Sequence, residues 1–91
     1  MSMYNPSHPG QIIRQRLIED EDGHKIGSVA VVAERLGCHR NTLNRVINGS
    51  ASVTPDMALA LEQAGAGSAE FWLSMQANHD LFQLRHSKGA A

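Results

Sequence analysis

The 91-residue sequence has little of what usually staples a small protein together. Its one cysteine, Cys38, cannot form an intramolecular disulfide, which fits a reducing compartment. None of the five histidines (His8, His24, His39, His79, His86) stands at a metal-ligand spacing from Cys38, so neither a metal nor another cofactor is expected. The thiol reads as a small, partly buried hydrophobe. Aromatics make up only 4% of the chain, and no segment alternates apolar and polar residues for long enough to be a strand. No apolar run could span a bilayer, and MSMYNPSHPG lacks the charged-then-apolar layout of a signal peptide. A cytoplasmic protein with no membrane partner is expected. No Pro, Gly or Ser tract divides the chain, and no repeat is visible, so residues 1–91 are read as one domain. Catalytic pairings are missing too. His79 and Asp80 are adjacent, but neighbours on a helix point ~100° apart, and no nucleophile accompanies them. Both are read as surface polar residues, no catalytic residue is assigned, and no enzyme is expected.

The formal net charge of −1 excludes a generic polycation, yet the charges are unevenly placed. Glu19-Asp20-Glu21-Asp22 is an acidic run, whereas Arg35 to Pro55 holds three arginines and no acid. Any nucleic-acid site must therefore be local.

What the sequence has in quantity is helix punctuation. Pro9 suits a first helical position, and Ile12, Ile13 and Leu17 mark one apolar face behind it. Ser28 can cap a second helix that ends at Gly37. A third helix should run over about 39–48 and stop at Gly49. Thr54-Pro55-Asp56 opens a fourth, carrying Met57, Leu61 and Ala64 to a stop at Gly65. Ser68 caps a fifth that reaches about Leu84, leaving 85–91 as a frayed tail. The fold class expected is all-α, with five helices.

At ~100° per residue, the third helix divides cleanly. Arg40, Asn41, Asn44, Arg45 and Asn48 share one arc, while Leu43, Val46 and Ile47 share the opposite one. The preceding helix presents a matching stripe of Val29, Val32, Ala33 and Leu36, and Ala33 is small enough to admit a close neighbour. Two short helices joined through Gly37, the second with an exposed Arg/Asn face, make a helix-turn-helix over about 28–48. Arginine can donate two hydrogen bonds to guanine, and asparagine can pair with the N6/N7 edge of adenine. Arg40, Asn41, Asn44 and Arg45 are therefore assigned to base reading in double-stranded DNA. Ser28, His39, Thr42 and Asn48 are assigned to the DNA backbone.

The block VAVVAERLGCHRNTLNRVINGSASVTPDMALALEQAGAGSAEFWLSMQANHDL resembles the Xre/Cro-like (lambda-repressor-like) helix-turn-helix proteins. HPGQII, RNTLNRVING and TPDMALAL followed by SAEFWLSMQANHDL narrow the resemblance to the HigA (VapI-like) antitoxins. That resemblance implies a homodimer on a palindromic operator in its own promoter. It also implies a partner toxin, HigB, similar to the mRNA-cleaving RelE ribonucleases, which the antitoxin neutralises by binding. A stand-alone Xre-type regulator without a toxin is the alternative. Two positions depart from the pattern: Val29 stands where the family often has Gln, and His39 where it often has the capping residue Ser. His39 could still cap or touch phosphate. The acidic loop is expected to point away from the duplex, toward a basic partner.

The fifth helix has two apolar sides, Phe71/Met75/Phe82 and Leu73/Ala77/Leu81/Leu84. One stripe suffices to dock on a core, so the second is assigned to dimerisation over about 68–84. A two-fold dimer would set its reading helices ~34–36 Å apart, one turn of DNA.

Overall fold

The computed structural model describes residues 6–19 and 22–88. Within them the chain is helical: α1 (Pro9–Ile13), running directly into a wider π turn (Arg14–Ile18), then α2 (Val29–Leu36), α3 (Arg40–Ile47), α4 (Pro55–Gln63) and α5 (Ala69–Lys88). There is no sheet among the described residues, only an isolated bridge between Glu19 and Lys25. That bridge, with the Ile26 and Gly27 N–H groups donating to the Ile18 carbonyl, closes the loop after the π turn. Asp20 and Glu21 of the acidic run lie outside the described residues.

The starts of the helices follow from their caps. Ser28 Oγ accepts from Val31 N–H at 3.1 Å, Thr54 Oγ1 from Met57 N–H at 3.3 Å, and Ser68 Oγ from Phe71 N–H at 3.0 Å. Each takes up a donor that the first helical turn cannot satisfy itself. Pro9 and Pro55 occupy first-turn positions, as their missing N–H allows. The far end of α5 differs from expectation. Helix continues through Arg85, His86 and Ser87 to Lys88, and His86 Nδ1 donates back to the Phe82 carbonyl at 2.9 Å while its ring stacks on Phe82. Residues 89–91 of the expected frayed tail lie outside the described residues.

One buried cluster joins all the helices: Ile13 and Ile18; Val32, Ala33 and Leu36; Leu43, Val46 and Ile47; Val53; Met57, Ala58 and Leu61; and Trp72. α1 can reach α3 only because residue 10 has no side chain. A Cβ on Gly10 would collide with the Val46 carbonyl and press on the Ile47 Cα, so the two backbones touch at this point.

The docked side of α5 is not the one its apolar stripes indicate. Trp72 is fully buried, and its Nε1–H donates to the Ala66 carbonyl at 3.1 Å. One turn on, Gln76 is 5% exposed, accepting from Val53 N–H at 2.8 Å and donating to Asp80 Oδ1 at 3.0 Å. These residues lie between the two stripes, so α5 docks mainly on an arc that neither stripe centres on, with Leu73 of the second stripe packed at its edge. His79 and Asp80 are correspondingly more than surface decoration. Half-buried His79 donates from Nδ1 to the Pro6 carbonyl at 2.9 Å, and Asp80 receives the Gln76 amide.

His8 links these parts. It is buried ahead of α1, its Nδ1 accepts from Gly10 N–H at 2.9 Å, and its ring meets His79 edge-on. Burial first, and the neighbouring His79 second, push its pKa below the usual histidine value; Asp80 and a hydrogen bond to the Ala51 backbone pull the other way. Neutral His8 is thus the form the fold requires, because a protonated Nδ1 could not accept from Gly10. The unfolded chain takes up this proton near pH ~6.5, while the folded chain does so only at lower pH. Stability is therefore full above that value and falls as pH drops through it toward the folded pKa. The melting temperature should decline between pH 7.5 and 5.0. His8→Asn, which keeps a capping oxygen without titrating here, should flatten that decline.

Candidate nucleic-acid interface

α2 and α3 meet through a tight corner. Gly37 sits at φ 71°, in the left-handed region that glycine enters without steric cost. Cys38 N–H then closes back on the Ala33 carbonyl at 3.0 Å, and Gly37 N–H on the Glu34 carbonyl at 3.1 Å. This pair of bonds satisfies carbonyls that the end of α2 would otherwise leave open. Ala33 is 2% exposed at the crossing. Cys38 is half-buried against the core, and burial pushes its thiol pKa up, away from nucleophilic or metal-binding use.

The inner face of α3 is sealed: Leu43, Val46 and Ile47 are at most 5% exposed. The helix therefore cannot rotate without exposing them, and its outer face is set. Arg40, Asn41, Thr42, Asn44, Arg45 and Asn48 are all exposed. The four residues assigned to base reading thus share one solvent-facing side. It offers guanidinium and amide donors, amide acceptors and no carboxylate.

The backbone candidates are placed less uniformly. Ser28 is exposed, but its Oγ already accepts from Val31 N–H. His39 stands at the N-cap of α3 with extended backbone and makes no side-chain capping bond. Of the two roles open to His39, capping is not made, although the His8 ring does cap the start of α1. The first-turn N–H groups of α3 have no side-chain acceptor within the helix start, and a phosphate is a suitable one. Asn48 is not a free surface amide: its Oδ1 accepts from Arg14 Nη2 at 3.0 Å. Arg14, on the turn following α1, was not legible as a site residue, since nothing local to its own segment ties it to α3.

On α5, Leu73 is half-buried and packs against the core, whereas Ala77, Leu81 and Leu84 are exposed. Leu81 and Leu84 are 43% and 52% exposed. On the other flank Phe71 is 39% exposed and is partly covered by the Arg16 guanidinium, 5.7 Å from its ring centre. Among the described residues, no helix is long and apolar enough to cross a membrane, and no group of three His, Cys, Asp or Glu could hold a metal ion.

Comparison with known proteins agrees with this geometry. Residues 25–72, more than half of the chain, match the helix-turn-helix family model. An uncharacterised HTH-type transcriptional regulator of Haemophilus influenzae is 33% identical over 88 residues, covering 97% of this chain and 78% of its own. An addiction-module antidote protein of the HigA family from Coxiella burnetii superposes with a TM-score of 0.81 at 30% identity, over 96% of this chain and 90% of that one. The antitoxin HigA of Pseudomonas aeruginosa, solved with the higBA promoter, gives 0.79 at 28% identity, over 93% and 88%. This chain belongs to the Xre-type helix-turn-helix family, and HigA antitoxins are among its relatives.

Proposed function

We propose that the protein is the antitoxin of a toxin–antitoxin module: a dimer that represses its own operon through a palindromic operator and binds a basic HigB-like toxin. The observation that carries the DNA-reading half is the outer face of α3, where Arg40, Asn41, Asn44 and Arg45 stand exposed and acid-free on a helix locked from behind. Arg40 and Arg45 suit guanine edges, and Asn41 and Asn44 suit adenine edges. Ser28, His39, Thr42 and Asn48 surround that face as backbone contacts. The relationship to a HigA solved with its promoter supports the same use.

Dimerisation through α5 rests on Ala77, Leu81 and Leu84, an apolar strip that the chain's own core leaves uncovered. Leu73, at its inner edge, packs on the core and would brace the strip from beneath. Leu81→Asp should shift the protein toward monomer in sedimentation velocity, because a carboxylate buried in an apolar interface has no partner. A dimer that survives this change would exclude the strip as the interface.

The toxin half rests on relationship to the HigA antitoxins. A stand-alone regulator is the competing reading, favoured by the Haemophilus relative's description. Co-expression with the adjacent gene decides between them. Recovery of a stable complex whose partner loses ribonuclease activity supports the antitoxin, and failure of the two products to associate supports the regulator.

A further inference from the structure

A groove of about 400 Å³ runs beside the C-terminal end of α3, lined by Gln11, Arg14, Asn48, Gly49, His79 and Gln83 among others. It has polar walls, and no carboxylate lines it. At its edge Arg14 Nη2 donates to Asn48 Oδ1 at 3.0 Å. The orientation of this pair follows from chemistry. A guanidinium has donors and no acceptor, so Asn48 must present its oxygen to Arg14. Its –NH2 is then directed away from Arg14, with no hydrogen-bond partner among the described residues, and Arg14 keeps its remaining N–H groups. Two exposed side chains are thereby joined into one unit that carries a positive charge and turns its free N–H groups outward as donors. Asn48 also lies on the same arc of α3 as Arg40, Asn41, Asn44 and Arg45.

We propose that Arg14 and Asn48 form a phosphate clamp, which grips the DNA backbone beside the bases that α3 reads and so ties α1 to the duplex. The clamp rests on the DNA-reading function proposed above. An Arg guanidinium matches a phosphate bidentately. Gripping at the C-terminal end of α3, while the uncapped N-terminal end meets the backbone at the other, would hold the reading helix in register along the groove.

The test uses a duplex enriched from a random-sequence pool by the wild-type protein, a scrambled duplex of equal length, and a salt titration of both. Arg14→Gln should weaken binding to the two duplexes by the same factor and lower the log–log salt slope by about 1 per protomer. Asn48→Asp discriminates more sharply. It keeps an acceptor for Arg14, so a tether lying away from the duplex would persist and binding would be unchanged. A clamp would instead present a carboxylate to phosphate, and binding should fall. Melting temperatures near wild type for both variants would confirm that the losses are local. Unaltered affinity and salt slope in Arg14→Gln, or wild-type binding by Asn48→Asp, would overturn the clamp alone. A wild-type protein that enriches no duplex would remove the DNA-reading function and the clamp together. Inorganic phosphate should compete no better than chloride at matched ionic strength; stronger competition that Arg14→Gln abolishes would assign the site to free phosphate instead.

Discussion

Arg45→Ala should abolish sequence-specific DNA binding while leaving the fold nearly as stable as before. Arg45 is exposed in the last turn of α3, and no hydrogen bond or ion pair holds its side chain among the described residues. Its backbone carbonyl does structural work, accepting from Ser50 N–H, Ser50 Oγ–H and Ala51 N–H, but alanine retains that carbonyl. What disappears is the guanidinium. One bidentate arginine–guanine contact is worth ~1–3 kcal/mol of discrimination, and a two-fold dimer loses it twice. Specific affinity should therefore fall roughly 30- to 10⁴-fold at 1.4 kcal/mol per factor of ten. A scrambled duplex should lose far less. The favourable position of a cation near the negative end of the α3 dipole is also lost, at a cost of about 0.3–1 kcal/mol or less. Fluorescence anisotropy on the two duplexes, with thermal melts alongside, measures both quantities. A mutant that discriminates between the duplexes as well as the wild type does would show that α3 is not the reading helix.

Replacing Trp72 by alanine should do the converse, destroying the fold rather than the site. The indole is fully buried, forms an edge contact with Phe71 and donates to the Ala66 carbonyl. Removing it opens a large cavity and leaves that carbonyl without its indole donor, and buried Trp→Ala changes cost ~3–5 kcal/mol. A domain of this size holds only ~5–13 kcal/mol in total. At ~4–8 °C per kcal/mol, the melting temperature should fall by tens of degrees. Because Trp72 and Gln76 seat α5, the exposed Leu81/Leu84 strip would lose its platform as well, and any dimer should dissociate. Trp72→Phe keeps part of the ring volume and loses the N–H donor, so it should lie between the two in circular-dichroism melts. A Trp72→Ala protein melting within a few degrees of wild type would mean that α5 is held chiefly by something other than this anchor.

The two predictions fall on opposite sides of what can be read from the chain alone. The outward, acid-free setting of Arg45 was legible. It follows from angular position on one short helix, from Gly37 and Gly49 at the helix ends, and from the lack of acid between Arg35 and Pro55. Caps, turn glycines and a 3.6-residue period involve residues a few positions apart, so the sequence alone determined the five helices, the helix-turn-helix corner and the side of α3 that faces outward.

Trp72 was passed over because it sits between two stripes that both look better suited to docking. Which arc of a helix is buried depends on the shape of the groove it meets. That groove is built from Ala66 in the turn after α4, the loop residue Val53 and the His8 cap, which come from three separate segments of the chain. Whether a histidine caps is not a residue-type rule either, since His8 does and His39 does not. The continuation of α5 to Lys88 carries the Phe82–His86 contact. No such rule contains the Arg14–Asn48 pair or the backbone contact at Gly10. Each brings together groups 34 or more positions apart. Such contacts exist only after the core has closed, so the tertiary structure alone decided them.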